Sequence, residues 1–257
     1  MSIYQHFRPE EKEFVDQILG FRQQVEDRYA PKLTDFLDPR EQYIAKSLIG
    51  NHGSTQIAFF GGREETERKR AIIYPEYFQP EEKDFQVSLF EIHYPEKFGN
   101  ISHPQVLGSL MGLGLKRGKF GDILFLDKRV QFFAAKEIGE YIRLNFHHVG
   151  KLSVSLEEIA LDCALSIQEE IEEISLTLSS FRLDNVLSSA GRISRSKAQQ
   201  LIKGGVVKVN WRIEEQPSFP VEEGDVISAR GIGRIKILSI GDKTKKDRWR
   251  MTVGKLK

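Results

Sequence analysis

The chain has 257 residues, of which 40% are apolar and 29% are charged, a composition that excludes an intrinsically disordered protein. The single cysteine, Cys163, excludes an intramolecular disulfide and predicts a buried, inert thiol in a reducing compartment. The net charge of +1 conceals an asymmetry, because residues 181–257 carry 17 basic and 8 acidic side chains, whereas residues 1–180 carry 21 basic and 29 acidic. Such a basic segment favours a polyanionic partner.

The first predicted elements are two helices followed by two strands. In the first helix, apolar residues recur every three or four positions, at Phe14, Ile18, Phe21, Val25 and Tyr29. The second helix is predicted to begin after the N-cap Asp38, with Glu41 completing a capping box, and to end near Gly50. We expect residues 1–80 to form an N-terminal α/β domain, with its strands at 56–60 and 70–74.

The central elements, within residues 81–179, follow the order strand, helix, strand, strand, helix, strand. This is the split βαβ, or ferredoxin-like, arrangement, which many RNA-recognition modules and many other proteins share. Ser102 or His103 is the predicted cap of the first helix, and Pro104 fits the first helical turn. The strands are predicted at 85–95, 122–126, 130–135, 152–156 and 170–178, and the second helix at 134–146.

A basic loop with an aromatic residue precedes the second strand of this central domain. It loosely resembles the glycine–aromatic signature of RNA-recognition modules, although that signature lies on the third strand. Phe132 and Phe133 lie on the predicted third strand, where adjacent side chains face opposite sides, so at most one of them can stack on a base. The sequence leaves open whether this loop makes a second RNA contact through Lys116, Arg117, Lys119 and Phe120.

The C-terminal segment begins with two short predicted helices, 182–190 and 195–203, and continues as strands. Gly191 and Gly204 are placed as helix stops, and Ser194 is placed as the N-cap of the second helix. We expect the first-turn N–H groups of that helix to be free, and a helix N-terminus favours phosphate. Two helix starts can therefore bring a group of cationic side chains to one surface: Arg182, Arg192, Arg195, Lys197 and Lys203.

The same segment resembles the S4 RNA-binding domain over about 46 residues. The matching residues, in order, are Arg182-Leu183-Asp184, Ser194–Ala198, Leu201-Ile202, Gly205–Asn210 and Gly224–Ile227, while Trp211 stands where the family usually has glycine. We expect Asp184 to cap or pair locally. A basic run around Trp249 suits either single-stranded RNA or a β-hairpin. The residues that the motif and its charges assign to RNA are Arg182, Arg192, Ser194, Arg195, Ser196, Lys197, Gln200, Lys203, Lys208, Asn210 and Arg212.

Two further segments, KLTDFLDPREQ at 32–42 and HPQVLGSLMGLGLKRGKFGDI at 103–123, resemble the bacterial YlmH-type S4-domain RNA-binding proteins. The likeness covers nearly all of the chain. It implies an α+β protein of several domains: an N-terminal α/β region, a central ferredoxin- or RRM-like split βαβ domain, and an S4 domain of two helices and a small β-sheet at 180–257. It also implies association with the large (50S) ribosomal subunit, and the family's genes lie in cell-division clusters.

The related small S4 proteins act on stalled large subunits that carry peptidyl-tRNA. We therefore expect a non-catalytic, cytoplasmic factor that contacts rRNA and tRNA or peptidyl-tRNA in ribosome quality control. We expect no cofactor, no metal and no small-molecule substrate. No run of about 18 apolar residues occurs and the first residues lack a signal-peptide core, so we expect no membrane partner.

Enzyme motifs are missing from the sequence. The glycines at 112–118 lack dinucleotide-binding spacing, and His147-His148, an expected exposed helix-end pair, lacks a matching metal-ligand array. S4-containing pseudouridine synthases need a separate catalytic aspartate loop, and tyrosyl-tRNA synthetases need His-x-Gly-His and Lys-Met-Ser-Lys-Ser motifs; neither set is present. Two alternatives stay open: an RNA-modifying enzyme with an unrecognised site, and a cell-division scaffold with secondary RNA binding.

Overall fold

The computed structural model describes residues 7, 9–50, 53–95, 97, 99–166, 171–244 and 247–256. The chain divides into two compact units, Met1–Ile167 and Gln168–Lys257. Among the described residues, no helix is both long enough and apolar enough to cross a membrane. Helices and antiparallel sheets occur in both units, which confirms the α+β class.

The N-terminal part of the first unit packs two helices against a three-stranded antiparallel sheet of order β1-β3-β2. The capping box of α2 is confirmed, because Asp38 Oδ1 accepts from Glu41 N at 2.9 Å and Glu41 Oε2 accepts from Asp38 N at 2.7 Å. Strand β1 has no clear alternation in the sequence, because a bulge between Leu33 and Phe36 breaks it. The bounds are α1 Lys12–Arg28, β1 Lys32–Leu37, α2 Pro39–Ile49, β2 Thr55–Phe60 and β3 Lys69–Pro75.

The central part of the first unit contains a four-stranded antiparallel sheet of order β5-β6-β4-β9, which confirms the ferredoxin-like arrangement. The helix at 134–146 was predicted too long, because Ala134 and Ala135 end strand β6 and the α-helix begins at Gly139. His147 and His148 are exposed, as predicted. The bounds are β4 Val87–His93, α3 His103–Gly112, β5 Phe120–Leu126, β6 Arg129–Ala135, α4 Gly139–Asn145, β7 His148–Val149, β8 Leu152–Ser153 and β9 Ser155–Ile159.

The central sheet is buried on both faces at the positions of Phe132 and Phe133. Phe132 packs against Phe146, which follows α4, with ring centroids 6.0 Å apart, so this face meets the helices. Phe133 faces the opposite side and contacts Gly62 of the N-terminal part, where an added Cβ would lie 2.3 Å from the ring. Phe132 and Phe133 are both 0% exposed. Neither ring can therefore stack on a base, because the helices cover Phe132 and the N-terminal part covers Phe133.

Cys163 also differs from the expectation. The residue ends a short 3-10 helix after β9 and is exposed, whereas its apolar neighbours had predicted burial. A hydrogen bond with Asp162 raises the pKa of the thiol. A raised pKa lowers the fraction of thiolate, so this accessible thiol is a weaker nucleophile than an ordinary cysteine.

The second unit packs two helices on a six-stranded antiparallel sheet of order β10-β15-β14-β13-β11-β12. Strand β10 had been assigned to the central domain, but it pairs with β15 from Ile171↔Leu256 to Leu178↔Trp249. The division at 80 and 179 stays a prediction, with this strand reassigned. The bounds are β10 Ile171–Leu178, α5 Leu183–Ala190, α6 Arg195–Lys203, β11 Val207–Val209, β12 Arg212–Ile213, β13 Val226–Ala229, β14 Gly233–Lys243 and β15 Trp249–Leu256.

The turns of this sheet explain two features of the sequence. Asn210 and Trp211 both have positive φ, 49° and 63°, as a two-residue type I′ hairpin turn requires, so the turn forms without the family's usual glycine. The basic run near the end of the chain forms the β14–β15 hairpin, in which Trp249 packs on Phe181 with centroids 5.0 Å apart. Of the two predicted roles for this run, Trp249 therefore has the one in a β-hairpin. Lys245 and Lys246 lie outside the described residues.

Candidate RNA-binding surface

The starts of α5 and α6 are held by local hydrogen bonds. Leu183 N donates to Phe219 O at 2.9 Å, and Asp184 N donates to Pro217 O at 3.0 Å. Lys197 N donates to the hydroxyl of Ser194 at 3.2 Å, which confirms the predicted N-cap. The expectation of free first-turn donors in α6 is therefore wrong for Lys197.

Asp184 is the centre of the side-chain arrangement, and its carboxylate is fully buried. Arg182 donates to it from Nε and Nη2 at 3.1 and 3.2 Å, and Arg195 does the same at 3.1 and 3.3 Å. Gln199 Nε2 donates at 2.7 Å. Burial alone would raise the pKa of Asp184, but the hydrogen bonds from Arg182, Gln199 and Arg195 outweigh it and hold the pKa well below its usual range.

This geometry brings the two arginines together although they are 13 positions apart in the sequence. Each gives one edge, Nε and Nη2, to Asp184, which leaves three of the five N–H donors of each guanidinium for other partners. The side chains of Arg182 and Arg195 remain 39% and 51% exposed. Asp184 thus fixes the direction of two half-exposed cations that can bind phosphate or stack on a base.

The other predicted residues of the second unit are exposed, although the side chain of Asn210 already has partners within the chain. The side-chain amide of Asn210 forms two intramolecular hydrogen bonds: Nδ2 donates to Asp225 Oδ1 at 2.7 Å, and Oδ1 accepts from Val226 N at 2.9 Å. These hydrogen bonds stabilise the turn between β11 and β12. The exposed members of the set are Arg192, Ser194, Ser196, Lys197, Gln200, Lys203, Lys208, Asn210 and Arg212.

In the basic loop of the central domain, Arg117 and Lys119 bind other groups of the first unit. Arg117 Nη1 donates to Phe120 O at 2.6 Å, and burial together with the nearby Arg68 lowers the pKa of Arg117 to about 10. Lys119 Nζ lies 2.6 Å from Asp35 Oδ1 and 3.0 Å from Glu137 Oε1. Phe120 is 1% exposed and cannot stack on a base. Of the four predicted residues, Lys116 alone is classed as exposed, because the others pack against the N-terminal part or the core.

Gln199 was missed by the sequence reasoning. It lies one turn after Arg195 on α6, and this i,i+4 spacing places it on the same helix face. A short polar side chain at that spacing, together with the buried Asp184, is the signal that could have identified it.

Three family profiles match the chain in order along the sequence. Residues 10–78 match the family "YlmH, N-terminal", residues 80–163 match the family described as "Putative RNA-binding domain in YlmH", and residues 181–227 match the S4 domain. These matches include the candidate surface formed by Arg182, Asp184 and Arg195. RNA binding is therefore supported both by the geometry of this surface and by the kind of domain that carries it.

Individual proteins show the same relationship. The chain is 47% identical over 251 residues to the ribosome-associated protein quality control protein P2 of Bacillus subtilis (strain 168), a match that covers 98% of this chain and 97% of that protein. It is 31% identical over 137 residues to the small ribosomal subunit protein uS4c of Rhapis humilis, covering 51% of this chain and 68% of that protein. A solved structure, the cell division protein ylmH from Streptococcus pneumoniae, matches with a TM-score of 0.55 at 36% identity, covering 64% of this chain and 100% of that chain. The chain therefore belongs to the YlmH family of bacterial S4-domain RNA-binding proteins.

Proposed function

We propose that this protein is a non-catalytic RNA-binding factor that acts on the large ribosomal subunit, contacts rRNA and tRNA or peptidyl-tRNA, and serves in the quality control of stalled subunits. Its mechanism is positional: it holds RNA in one state and forms or breaks no covalent bond. The relative from Bacillus subtilis is named for ribosome-associated protein quality control, which supports this role.

The observation that carries the proposal is the pair of arginines oriented by the buried Asp184. An exposed arginine with no fixed partner has many rotamers, and binding then costs the entropy of ordering it. Here the carboxylate already orders Arg182 and Arg195, so phosphate or base contacts are made by preorganised donors. The surrounding segment, residues 181–257, is strongly basic, which favours RNA over an uncharged partner.

The test is sedimentation of cell lysate through a sucrose gradient, comparing wild type with Arg182→Ala and Arg195→Ala. We expect the wild type to migrate with the large subunit and each variant to bind about tenfold to a hundredfold more weakly, since charge-assisted hydrogen bonds contribute about 1.5–3 kcal/mol. Arg28→Ala is the matched control, because Arg28 is an exposed arginine of the first unit. Purified large subunits with and without peptidyl-tRNA then test the tRNA contact, with tighter binding expected when the tRNA is present.

A wild-type protein that stays at the top of the gradient at low salt would contradict the ribosomal role. Thermal melting of each variant separates lost binding from lost folding, because Arg182 and Arg195 also neutralise Asp184. Nucleoside analysis of rRNA after incubation with the protein tests the non-catalytic part of the proposal, and a modified nucleoside would overturn it.

A second candidate function is suggested by the relative from Streptococcus pneumoniae, which is named a cell division protein. In that case, the protein would be a scaffold whose S4 domain binds RNA secondarily. A protein partner that survives ribonuclease treatment would support the scaffold role, and loss of every partner after the same treatment would support the ribosomal one.

A further inference from the structure

The sheet of the second unit has a cationic face opposite its helices. Helices α5 and α6 pack on the face formed by the buried residues Val207, Ile227 and Ile235, together with their neighbours in the core. Successive side chains of a strand point to opposite faces. The residues that alternate with the core therefore point away from α5 and α6; they are Lys208, Ser228, Arg234 and Lys236.

The strand register places three of these residues in one row. Lys208 is paired with Ser228 across β11 and β13, and Ser228 is paired with Arg234 across β13 and β14. Neighbouring strands are about 4.8 Å apart, so the two cations stand about 10 Å apart with a hydroxyl between them. Arg230, in the turn after β13, is exposed and adds a third cation beside the row.

The row borders a groove of about 320 Å³. Gly205 and Gly233 belong to the lining, with φ values of +67° and +100°, and an added Cβ on Gly233 would meet no atom within 4 Å. Val206, 39% exposed, adds an apolar surface. The groove therefore offers open backbone, one apolar side chain and cations together, which suits the alternating ribose and phosphate of a nucleic-acid strand.

The charges in the groove are less neutralised than those of the Asp184 cluster. Within the part of the chain that the structure describes, neither Lys208 nor Arg230 forms an ion pair with a carboxylate. Glu215 approaches one end, where its Oε1 lies 3.5 Å from the position of a Cβ on Gly205. Lys208 and Arg230 therefore give the groove two cations that form no ion pair with a carboxylate of the described residues.

We infer that this groove is a second RNA-binding site, which holds the phosphate–ribose backbone independently of the surface formed by Arg182 and Arg195. Lys208, Arg230 and Arg234 contact phosphates, and Ser228 donates its hydroxyl to one of them. Such contacts carry no base specificity. The inference deepens the proposed function, on which it rests, because it assigns RNA to a face of the S4 unit that the helices do not form.

The test is the salt dependence of binding of the full chain to purified 23S rRNA, with the Lys208→Gln/Arg230→Gln double variant. Each cation that contacts a phosphate contributes about 1 to the slope of log K against log salt, so the double variant should lower the slope by about 2. The matched control is Arg28→Gln/Lys151→Gln, which removes the same two charges from exposed positions of the first unit. It should leave the slope unchanged, and all variants should retain the wild-type melting temperature.

The outcomes separate the two proposals. A wild-type protein that fails to bind 23S rRNA overturns the proposed function itself. If the wild type binds and Arg195→Ala weakens binding, but the groove variant keeps the wild-type slope, the groove inference alone is overturned. Competition with poly-glutamate tests whether the groove binds an acidic protein instead. If poly-glutamate binds through Lys208 and Arg230 while the double variant keeps the wild-type rRNA slope, the groove inference is also overturned.

Discussion

At the scale of single residues, the buried Asp184 connects stability with RNA binding. A buried carboxylate remains ionised only when hydrogen-bond donors surround it. Around Asp184 these donors belong to Arg182, Arg195 and Gln199. The sequence predicts that Asp184 caps or pairs locally, and the local pair with Arg182 is present, whereas Arg195 and Gln199 come from the next helix. The sequence could not show that one carboxylate holds both arginines, because that depends on how α5 and α6 pack.

Asp184→Asn should lower the free energy of unfolding by about 1–3 kcal/mol, because an amide nitrogen would face donors that need an acceptor. The pKa of Asp184 is lowered in the folded protein from its ordinary 3.8, so the folded state favours the anion. This stabilisation is complete above the unfolded pKa and is lost as pH falls from there toward the folded pKa. Urea unfolding at neutral and acidic pH checks this, and the gap between wild type and variant should narrow in acid. A gap that does not change with pH would contradict the role of the charge.

At the scale of elements, the N-terminal part covers the second face of the central sheet around Phe133. Arg70, 3% exposed, donates from Nε to Thr34 O at 2.8 Å and from Nη1 to Glu137 Oε2 at 3.1 Å, which joins the two parts by a buried cation. The fold that suggested an RNA-recognition module thus lacks the open aromatic face that such modules use. Proteins that share the ferredoxin-like fold can therefore differ in which face of the sheet is exposed to solvent.

Gly62→Ala should destabilise the first unit by about 1–3 kcal/mol, because φ is +104° and the new Cβ would lie 2.3 Å from the ring of Phe133. Gly53→Ala is the matched control, since no atom lies within 4 Å of its Cβ position. Differential scanning calorimetry of both variants measures the effect. Equal melting temperatures for Gly62→Ala and wild type would mean that the N-terminal part does not press on this sheet face.

Elements with strong local signals were predicted well from the sequence. The capping box at Asp38 and the N-cap at Ser194 depend on residues within one turn, so short-range reasoning suffices. Strand β10 was assigned to the wrong sheet because its partner, β15, lies about 70 residues further along the chain. The sequence leaves the role of the loop at 116–120 open for a similar reason: the acids that neutralise Lys119 come from distant elements.

At the scale of the whole molecule, the asymmetry of charge is the feature that composition alone revealed. The second unit, Gln168–Lys257, carries 17 basic and 12 acidic side chains, whereas the first unit carries 21 basic and 25 acidic side chains. Long-range attraction to RNA should therefore arise from the second unit.

The affinity of the full chain for 23S rRNA should fall linearly with the logarithm of the salt concentration. If about five cations of the second unit contact phosphates, the slope should be near −4. Filter binding over a series of KCl concentrations measures it. An affinity almost independent of salt would rule out phosphate contacts as the main source of binding.

The order of the strands in the second unit has a consequence for biosynthesis. Strand β15 lies between β10 and β14, yet it is the last of the sheet's strands to be made. Until it leaves the ribosome, β10 has no partner in this sheet, and Leu178 and Trp249 cannot meet. Domains generally fold as units during synthesis. A nascent chain interrupted before residue 249 therefore exposes an unfinished sheet, so the cell's proteases can distinguish it from the completed protein.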